Sequence, residues 1–554
     1  MNFNFLRSFL IKLILLFSIS LLVSCSYYFG KNRLPLGANF DKELPVLEYS
    51  ERLGNRISAE EHSLTAYYSN QILSDWETRG KVSEPRIMIA KLLSGNEIDK
   101  VNEYIKSLEP WGRSGTRWIL NPRGDYDFTE IPLCVLLYTF RDKPDILYPE
   151  TQNHIAQNLL IHSGGKPALK TPRTFRVMRE TENHILMSET SRYLKNQWMY
   201  ENVSDDKKYN NIENGLEKWL LNHVNELRKG GFFEFNSLPY SGYSINALLV
   251  LHSFAESEDI KIATQNLLDQ LVWEYTYSSK NLRRFPPFRR QFSRAELRTF
   301  HQDPMSGIMK VWMDAARHTK GVETNHLRHF GLIALLTDYR PPLALVEKAL
   351  SKDRDYYLAI GRGHNSTPEI YSGGPGYLIS GGGTQPWRGT QIIARQTLLF
   401  LDDKASVIDS CFYIPGRGKR ENWNNTGVYK KFAVGNHEVH IPQHMQALKQ
   451  SDNWKLFETP TESLYVVTYS KEDLGLIFLI RSKEQDLQRN FESLIARNAQ
   501  NNLYNTAITF AGDTIEYKLR KSSRREVIRQ INGEARNRKL SRFPRIEFIE
   551  AENL

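Results

Sequence analysis

Hydrophobic positions recur at helical spacing from about residue 56 to about residue 350 of the chain. Pro-, Gly- and Asn-containing segments such as PWGRSG and NPRGD separate these stretches, as is typical of loops between helices. The pattern therefore predicts a helical N-terminal half. The predicted helices cover 58–79, 86–107, 131–141, 150–162, 180–198, 208–229, 242–256 and 259–278, with shorter ones near 305–318, 324–337 and 341–351.

The pattern changes after about residue 355, where short runs rich in β-branched and aromatic residues replace the helical period. The clearest runs are DYYLAIG, SLYVVTYS and LGLIFLIRS, and glycine-rich segments such as SGGPG lie between such runs. A series of helices followed by a series of strands indicates two separate domains. We therefore expect a multidomain α-then-β chain, with a helical domain at 56–352 and an antiparallel β domain at 353–554.

The N-terminal segment has the features of a secretory signal, because basic residues flank the apolar run 13–23 and a small residue precedes Cys25. The sequence LVSC resembles a bacterial lipobox, in which the cysteine becomes lipidated. A plain transmembrane anchor is the alternative, but the run is short for a span of about 20 residues. We expect a signal peptide at 1–24, lipidation of Cys25 and a tether to residue 55. Ser26 after the cysteine favours the outer membrane of the bacterial envelope.

Charge and composition restrict the partners. The formal net charge is +10 and hydrophobic residues make up 40% of the chain, so large cores and polyanionic partners are both expected. No nucleic-acid-binding motif is present, and an acidic polysaccharide suits an envelope protein better than nucleic acid. Cys134 and Cys411 lie in apolar contexts, which predicts buried thiols rather than a disulfide framework.

The sequence TENHILM places Asn183 and His184 on the first turn of a predicted amphipathic helix. Leu186 and Met187 belong to its apolar stripe, and Asn183 lies on the same stripe. An amide on the buried side of a helix must find polar partners or a ligand. The pair is therefore a candidate site.

Two further segments carry polar residues that can converge with this pair. Tyr243 begins the apolar stripe of the next long helix, with Tyr240 just before it. The segment 282–298 is rich in arginine, whose planar guanidinium suits bidentate binding of carboxylate or sulfate. Docking of this segment on its own acidic neighbours is an equally good interpretation. The candidate arginines are Arg283, Arg284, Arg289 and Arg290.

An amide, an imidazole, a phenol and a guanidinium together suit β-elimination from a uronic acid. Removing the proton next to a carboxylate requires that the carboxylate be neutralised, which hydrogen-bond donors and cations achieve. A Tyr or His then removes the proton, and a Tyr protonates the leaving oxygen. This chemistry implies no cofactor and no metal ion.

The helical domain followed by a β domain, the ENH sequence and the Tyr-rich helix start resemble the heparinase II/III and alginate-lyase type of polysaccharide lyases. The resemblance implies an (α/α) toroid followed by an antiparallel β-sandwich. It also implies that Asn183 neutralises the uronate carboxylate and that His184 is the base or a carboxylate partner. Tyr243, or else Tyr240, would be the general acid or base. An arginine of 283–290 would bind the anion.

Two more positions are candidates for substrate binding. Glu182 adjoins the Asn-His pair, and His364 lies in the β domain, which often lends residues to the cleft in such folds. Other function classes stay open. An (α/α)-toroid glycoside hydrolase would need two carboxylates flanking the bond, and Glu180, Glu189 and Glu234 are near the expected cleft. A non-catalytic glycan-binding or scaffolding lipoprotein would use the same residues only for binding.

Overall fold

The structure is a computed structural model. The described residues are 49, 51–54, 58–74, 76, 83–111, 117, 119, 121–170, 179–232, 234, 236–237, 240–285, 304–312, 328–360, 368–382, 397–401, 407–416, 426–519, 527–536 and 545–548.

The N-terminal part of the chain is helix-rich, as the periodicity predicts. Its helices are α1 Ser58–Ser69, α2 Ser83–Leu93, α3 Ile98–Lys106, α4 Asp127–Thr139, α5 Pro149–His154, α6 Glu182–Asn202, α7 Leu216–Gly230, α8 Ser241–Phe254, α9 Glu258–Ser278, α10 Pro304–Trp312, α11 Arg328–Leu335 and α12 Leu343–Leu350. One predicted helix, 86–107, is two helices, because Gly95 and Glu97 between them adopt positive φ angles of 67° and 55°.

The helices fall into two groups that differ in burial. Almost every residue of α4 and most residues of α6 are buried, so these helices are surrounded by protein. In α7, by contrast, the buried residues Leu216, Leu220, Val224 and Leu227 form a single stripe. A single apolar stripe marks a helix that covers a core on one side and faces solvent on the other.

The surrounded helices are neighbours in space although other helices separate them in the chain. Helix α4 packs against α2 and α6, and α6 packs against α8. Helix α8 in turn packs against α11, which contacts α1 and α2. In the chain, α3, α5 and α7 each lie between two successive helices of this series, and α9 and α10 lie between α8 and α11.

Antiparallel sheets make up the C-terminal part. They are preceded by a short hairpin, β1 Ser279–Lys280 and β2 Arg283–Arg284, which follows α9. The strands after it are β3 Tyr356–Ile360, β4 Glu369–Gly374, β5 Tyr377–Gly382, β6 Thr397–Phe400, β7 Phe412–Ile414, β8 Thr426–Tyr429, β9 Phe432–Asn436, β10 Ala447–Ser451, β11 Trp454–Glu458, β12 Leu464–Lys471, β13 Leu474–Arg481, β14 Thr506–Ile508, β15 Thr514–Tyr517, β16 Ile528–Ile531, β17 Glu534–Ala535 and β18 Arg545–Phe548. The strand order is β18-β3-β4-β5-β6-β7 in one six-stranded sheet, β10-β11-β12-β13-β9-β8 in the other, and β14-β15-β16-β17 in a four-stranded sheet.

Strand β3 shows how the parts are joined, because both of its faces are buried. Tyr357 and Ala359 belong to an apolar cluster that both six-stranded sheets share. Tyr356, Leu358 and Ile360, which alternate with them, pack with Tyr277 of the helical part. A run of five apolar residues is therefore required here, since neither face of the strand meets water.

The order of helices followed by antiparallel sheets is confirmed. The burial of Cys134 and Cys411 as free thiols is confirmed as well. A further helix, α13 Leu487–Asn498, was not predicted, and its Leu487, Phe491 and Leu494 belong to the same apolar cluster as residues of β12 and β13. The domain boundaries at 56–352 and 353–554 stay predictions.

Candidate functional site

The first turn of α6 meets the first turn of α4 through an ion pair. The Nδ1 atom of His184 lies 2.6 Å from Oδ2 of Asp127, and the side chains are 15% and 9% exposed. Asp127 is the first residue of α4, so both partners lie at the same end of the two neighbouring helices. This bond fixes the ring and leaves Nε2 as the nitrogen available to a ligand.

The ion pair sets the protonation of His184. Burial by itself lowers the pKa of a histidine, but the Asp127 carboxylate outweighs it and raises the pKa of His184 from 6.5 to about 9. Glu180 and Asp125 add to the rise. Burial raises the pKa of Asp127, and the charge of His184 opposes that rise. At neutral pH the site therefore contains an imidazolium.

Asn183, next to this ion pair, has an amide without a full set of partners. It is 1% exposed, and its Oδ1 accepts a hydrogen bond of 2.6 Å from the hydroxyl of Thr181. Its Nδ2 is buried and makes no hydrogen bond in the described part of the chain. A buried donor of this kind costs about 1–3 kcal/mol unless a ligand or water satisfies it.

Tyr243, the third residue of α8, joins the same group of residues through Phe128. The ring of Phe128 packs edge-on against His184 at 5.3 Å and against Tyr243 at 4.5 Å between centroids. The ring of Phe330 contacts Tyr243 from another side at 4.8 Å. Because Phe128 touches both rings, the imidazole and the phenol lie at the same end of α4, α6 and α8.

A buried arginine completes the set. Arg86, the fourth residue of α2, is 1% exposed. Burial lowers its pKa, and attraction to Tyr68 and Tyr243 opposes this effect. Arg86 therefore lies close enough to Tyr243 to interact with its charge. Four neighbouring helices thus each supply a candidate group from their first turn.

A cleft opens beside His184. The cleft has a volume of about 610 Å³, which includes space open to solvent. Asp127 and His184 form part of its wall. The remainder of the wall comes from the segment before α4 and from residues 161–170, with Glu180 and Ser188. A ligand in this cleft can therefore reach the imidazolium.

The two described arginines of the predicted anion site do not line the cleft beside His184. Arg283 is 1% exposed, and its guanidinium carbon lies 4.5 Å from the ring centroid of Phe400 in β6. Arg284 lines a second cleft of about 590 Å³ against β4 and donates a hydrogen bond of 2.8 Å to Oδ1 of Asn236. Both guanidiniums thus contact the protein's own groups where the helices meet the sheet. Their binding of substrate stays a prediction.

The structure also places Glu182 and Tyr240. Glu182 is 3% exposed, and its Oε1 accepts a hydrogen bond of 2.6 Å from the backbone N–H of Glu234. Tyr240 precedes α8, and its carbonyl oxygen accepts a bond from the N–H of Tyr243 at 3.1 Å. The ring of Tyr243 packs against Phe128. The remaining predicted positions, Cys25, Arg289, Arg290 and His364, lie outside the described residues.

Sequence reasoning missed Asp127, Phe128 and Arg86. The segment GDYDFTE did carry a signal, since its acidic residues precede an apolar run and are typical of a helix start. Arg86 had no such signal, because one arginine in SEPRIMIAKLL gives no indication of its burial.

Neither a scan against models of protein families nor a search of the curated proteins finds a match for this chain. Among the described residues, no group of three or more His, Cys, Asp or Glu side chains is arranged to hold a metal ion. No helix in that part of the chain has the length and apolar content needed to cross a membrane.

Proposed function

We propose that this protein is a lyase that cleaves an acidic, uronate-containing polysaccharide by β-elimination. The observation that carries the proposal is the convergence of His184 and Tyr243 on Phe128. The unsatisfied amide of Asn183 is adjacent in sequence to His184. Together these groups provide a cation, a hydrogen-bond donor and a proton-transfer group within one region.

The charge state of His184 refines its role. A histidine with a pKa of about 9 is protonated at neutral pH, so it serves as a partner of the substrate carboxylate rather than as the base. The Nδ2 group of Asn183 donates a hydrogen bond to the same carboxylate. Both interactions strengthen as negative charge builds up on the carboxylate oxygens in the transition state.

Tyr243 transfers the proton. As a phenolate, it takes the proton from the carbon next to the carboxylate, and the released electron pair forms the carbon–carbon double bond. The bond from the neighbouring carbon to the glycosidic oxygen breaks, and that oxygen takes the proton back from Tyr243. The positive charge of Arg86, which is attracted to Tyr243, stabilises the phenolate. The products are an unsaturated uronate and a new hydroxyl end.

The arrangement of helices supports the finer architecture that this function suits. We propose that the inner helices α2, α4, α6, α8 and α11 form the inside of an (α/α) toroid and that α3, α5, α7 and α9 form its outside. The two six-stranded sheets, which share an apolar cluster, would form the β-sandwich. In such a toroid the first turns of the inner helices would face one rim, and the candidate residues belong to those first turns.

A panel of acidic polysaccharides tests the function. The purified protein is incubated with each polymer, and the ultraviolet absorbance of unsaturated uronate is followed together with reducing ends. A rise of both signals is expected. Reducing ends alone would indicate a hydrolase, and binding without either signal would indicate a scaffold. Either of these results overturns the proposal.

Tyrosine variants test the residue assignment. Tyr243→Phe removes only the hydroxyl and is expected to lower kcat by about 10²–10⁴-fold, the range for loss of a general acid or base. Tyr240→Phe is the matched control, because it removes the same hydroxyl from the tyrosine just before α8. If Tyr240→Phe loses activity and Tyr243→Phe keeps it, the assignment of Tyr243 is wrong.

A further inference from the structure

Helix α4 carries a second carboxylate–histidine pair, one turn after the first. Glu130 lies three residues after Asp127 on the same face of the helix, where Cβ atoms are about 5–6 Å apart. Its Oε2 lies 2.7 Å from Nδ1 of His162, and its Oε1 accepts a hydrogen bond of 2.8 Å from the N–H of Ile161. Glu130 is fully buried, whereas the side chain of His162 is 22% exposed.

Both histidines line the same cleft. Asn121, Arg123 and Lys170 line it as well. Burial lowers the pKa of His162, but Glu130 outweighs burial and raises it, with a smaller contribution from Glu189 and an opposing one from Arg192. The walls of the cleft thus hold two imidazole rings, each supported from behind by a carboxylate of α4.

Two cations of the cleft are available to an anionic ligand. Arg123 and Lys170 are exposed and form no ion pair with any described residue. The carboxylates of Asp125 and Glu180 also line the cleft, and both help to raise the pKa of His184. An anionic ligand that enters the cleft therefore meets two cations that no described carboxylate pairs with.

We propose that this cleft binds the acidic group of the sugar unit next to the one that reacts, with His162 as the positioning residue for that group. The inference rests on the proposed function for the identity of the ligand. It predicts a preference for polysaccharides that carry carboxylate or sulfate on consecutive sugars. Such a substrate is held by one histidine ring at each of two neighbouring acidic groups.

Inorganic sulfate tests the anion site without any turnover. Diethyl pyrocarbonate acylates the neutral imidazole, and mass spectrometry of peptides gives the rate at each histidine. Sulfate bound beside the His162 ring is expected to slow its acylation several-fold relative to chloride at equal ionic strength. His437 of the β part, whose side chain is 48% exposed, is the internal control. Equal effects of sulfate on both histidines would overturn the anion site.

The double variant Arg123→Gln/Lys170→Gln shows whether the effect belongs to the cleft. It is expected to weaken the protection of His162 by sulfate, and unchanged protection contradicts the proposed site. If sulfate protects His162 but no acidic polysaccharide is cleaved, the anion site stands and the glycan ligand fails with the proposed function. The two failures are therefore distinguishable.

Kinetics test the positioning role. On a polymer with an acidic group on every sugar, His162→Gln is expected to raise KM about tenfold and to change kcat by less than about twofold. On a polymer with acidic groups on alternate sugars, KM is expected to change by less than about twofold, since the second contact is absent. An equal rise of KM on both polymers, or a fall of kcat alone, overturns the proposal.

Discussion

The replacement Asp127→Asn isolates the interaction that keeps His184 protonated. The asparagine has the shape of the aspartate and removes only its charge. The rise of the His184 pKa from 6.5 to about 9 corresponds to roughly 3 kcal/mol in favour of the protonated ring, at about 1.36 kcal/mol per pKa unit. Without the carboxylate, burial is the main remaining influence, so the pKa of His184 is expected to fall to about 6.5 or below.

The rate at which diethyl pyrocarbonate acylates His184 measures this pKa directly. In the wild type the rate is expected to rise through a midpoint near pH 9, and in Asp127→Asn through a midpoint near or below pH 6.5. Glu130→Gln is the matched control, because it removes the carboxylate that pairs with His162. That variant is expected to move the midpoint of His162 and to leave the midpoint of His184 unchanged.

The same interaction makes a signed prediction for stability. A histidine whose pKa is raised by folding contributes stability that is fully present below its unfolded pKa and is lost as the pH rises through its folded pKa. Asp127→Asn is therefore expected to lower the free energy of unfolding by up to about 3 kcal/mol near pH 6.5 and by much less above pH 9. A midpoint for His184 that stays near pH 9 in Asp127→Asn would refute the assignment of the shift to this carboxylate.

Three further predictions follow from single contacts. With the acidic polysaccharide as substrate, kcat/KM is expected to fall as the pH rises through about 9, where His184 loses its charge, and a profile that stays flat to pH 10 would contradict this. Asn183→Ala is expected to lower kcat about 10²–10³-fold and to change the unfolding free energy by less than about 1 kcal/mol, because the variant also removes an unsatisfied buried donor. Comparable kinetics for this variant and the wild type would refute its role. Tyr356→Phe, which removes a buried hydrogen bond of 2.8 Å to the carbonyl of Tyr277, is expected to cost about 1–3 kcal/mol in denaturant titrations. The exposed Tyr200→Phe should cost less than about 0.5 kcal/mol, and equal losses would speak against the contact.

Much of the fold was predictable because burial of one face of a helix or strand produces a periodic pattern of apolar residues in the sequence. The stripe of α7 and the apolar run of β3 each follow from which faces meet water. Helix α13 was not predicted because it lies between strands in the chain. The alternating apolar pattern of those strands led to a prediction of β-structure for the whole region. The break at Gly95 was also missed, since the flanking segments keep the helical period on both sides of the turn.

The candidate site was predictable only in part, because its residues differ in whether they leave a local signal. Asn183 and Tyr243 could be found because each begins an apolar stripe, and a polar residue in that position stands out against its neighbours. The partners that define their chemistry leave no such mark. The charge of His184 depends on Asp127, which is 57 residues away in the chain. Long-range pairing of this kind is set by packing of helices.

The arginine-rich segment shows the limit of a local signal for anion binding. Local density of arginine indicates charge, but it does not show whether that charge is already compensated. Arg283 packs on an aromatic ring and Arg284 donates to Asn236, so their charge serves contacts within the protein. The cations that face the cleft beside His184 are instead dispersed along the chain. A binding site formed by single residues from distant segments is set by the packing of the helices. The amino-acid composition of any one segment does not indicate it.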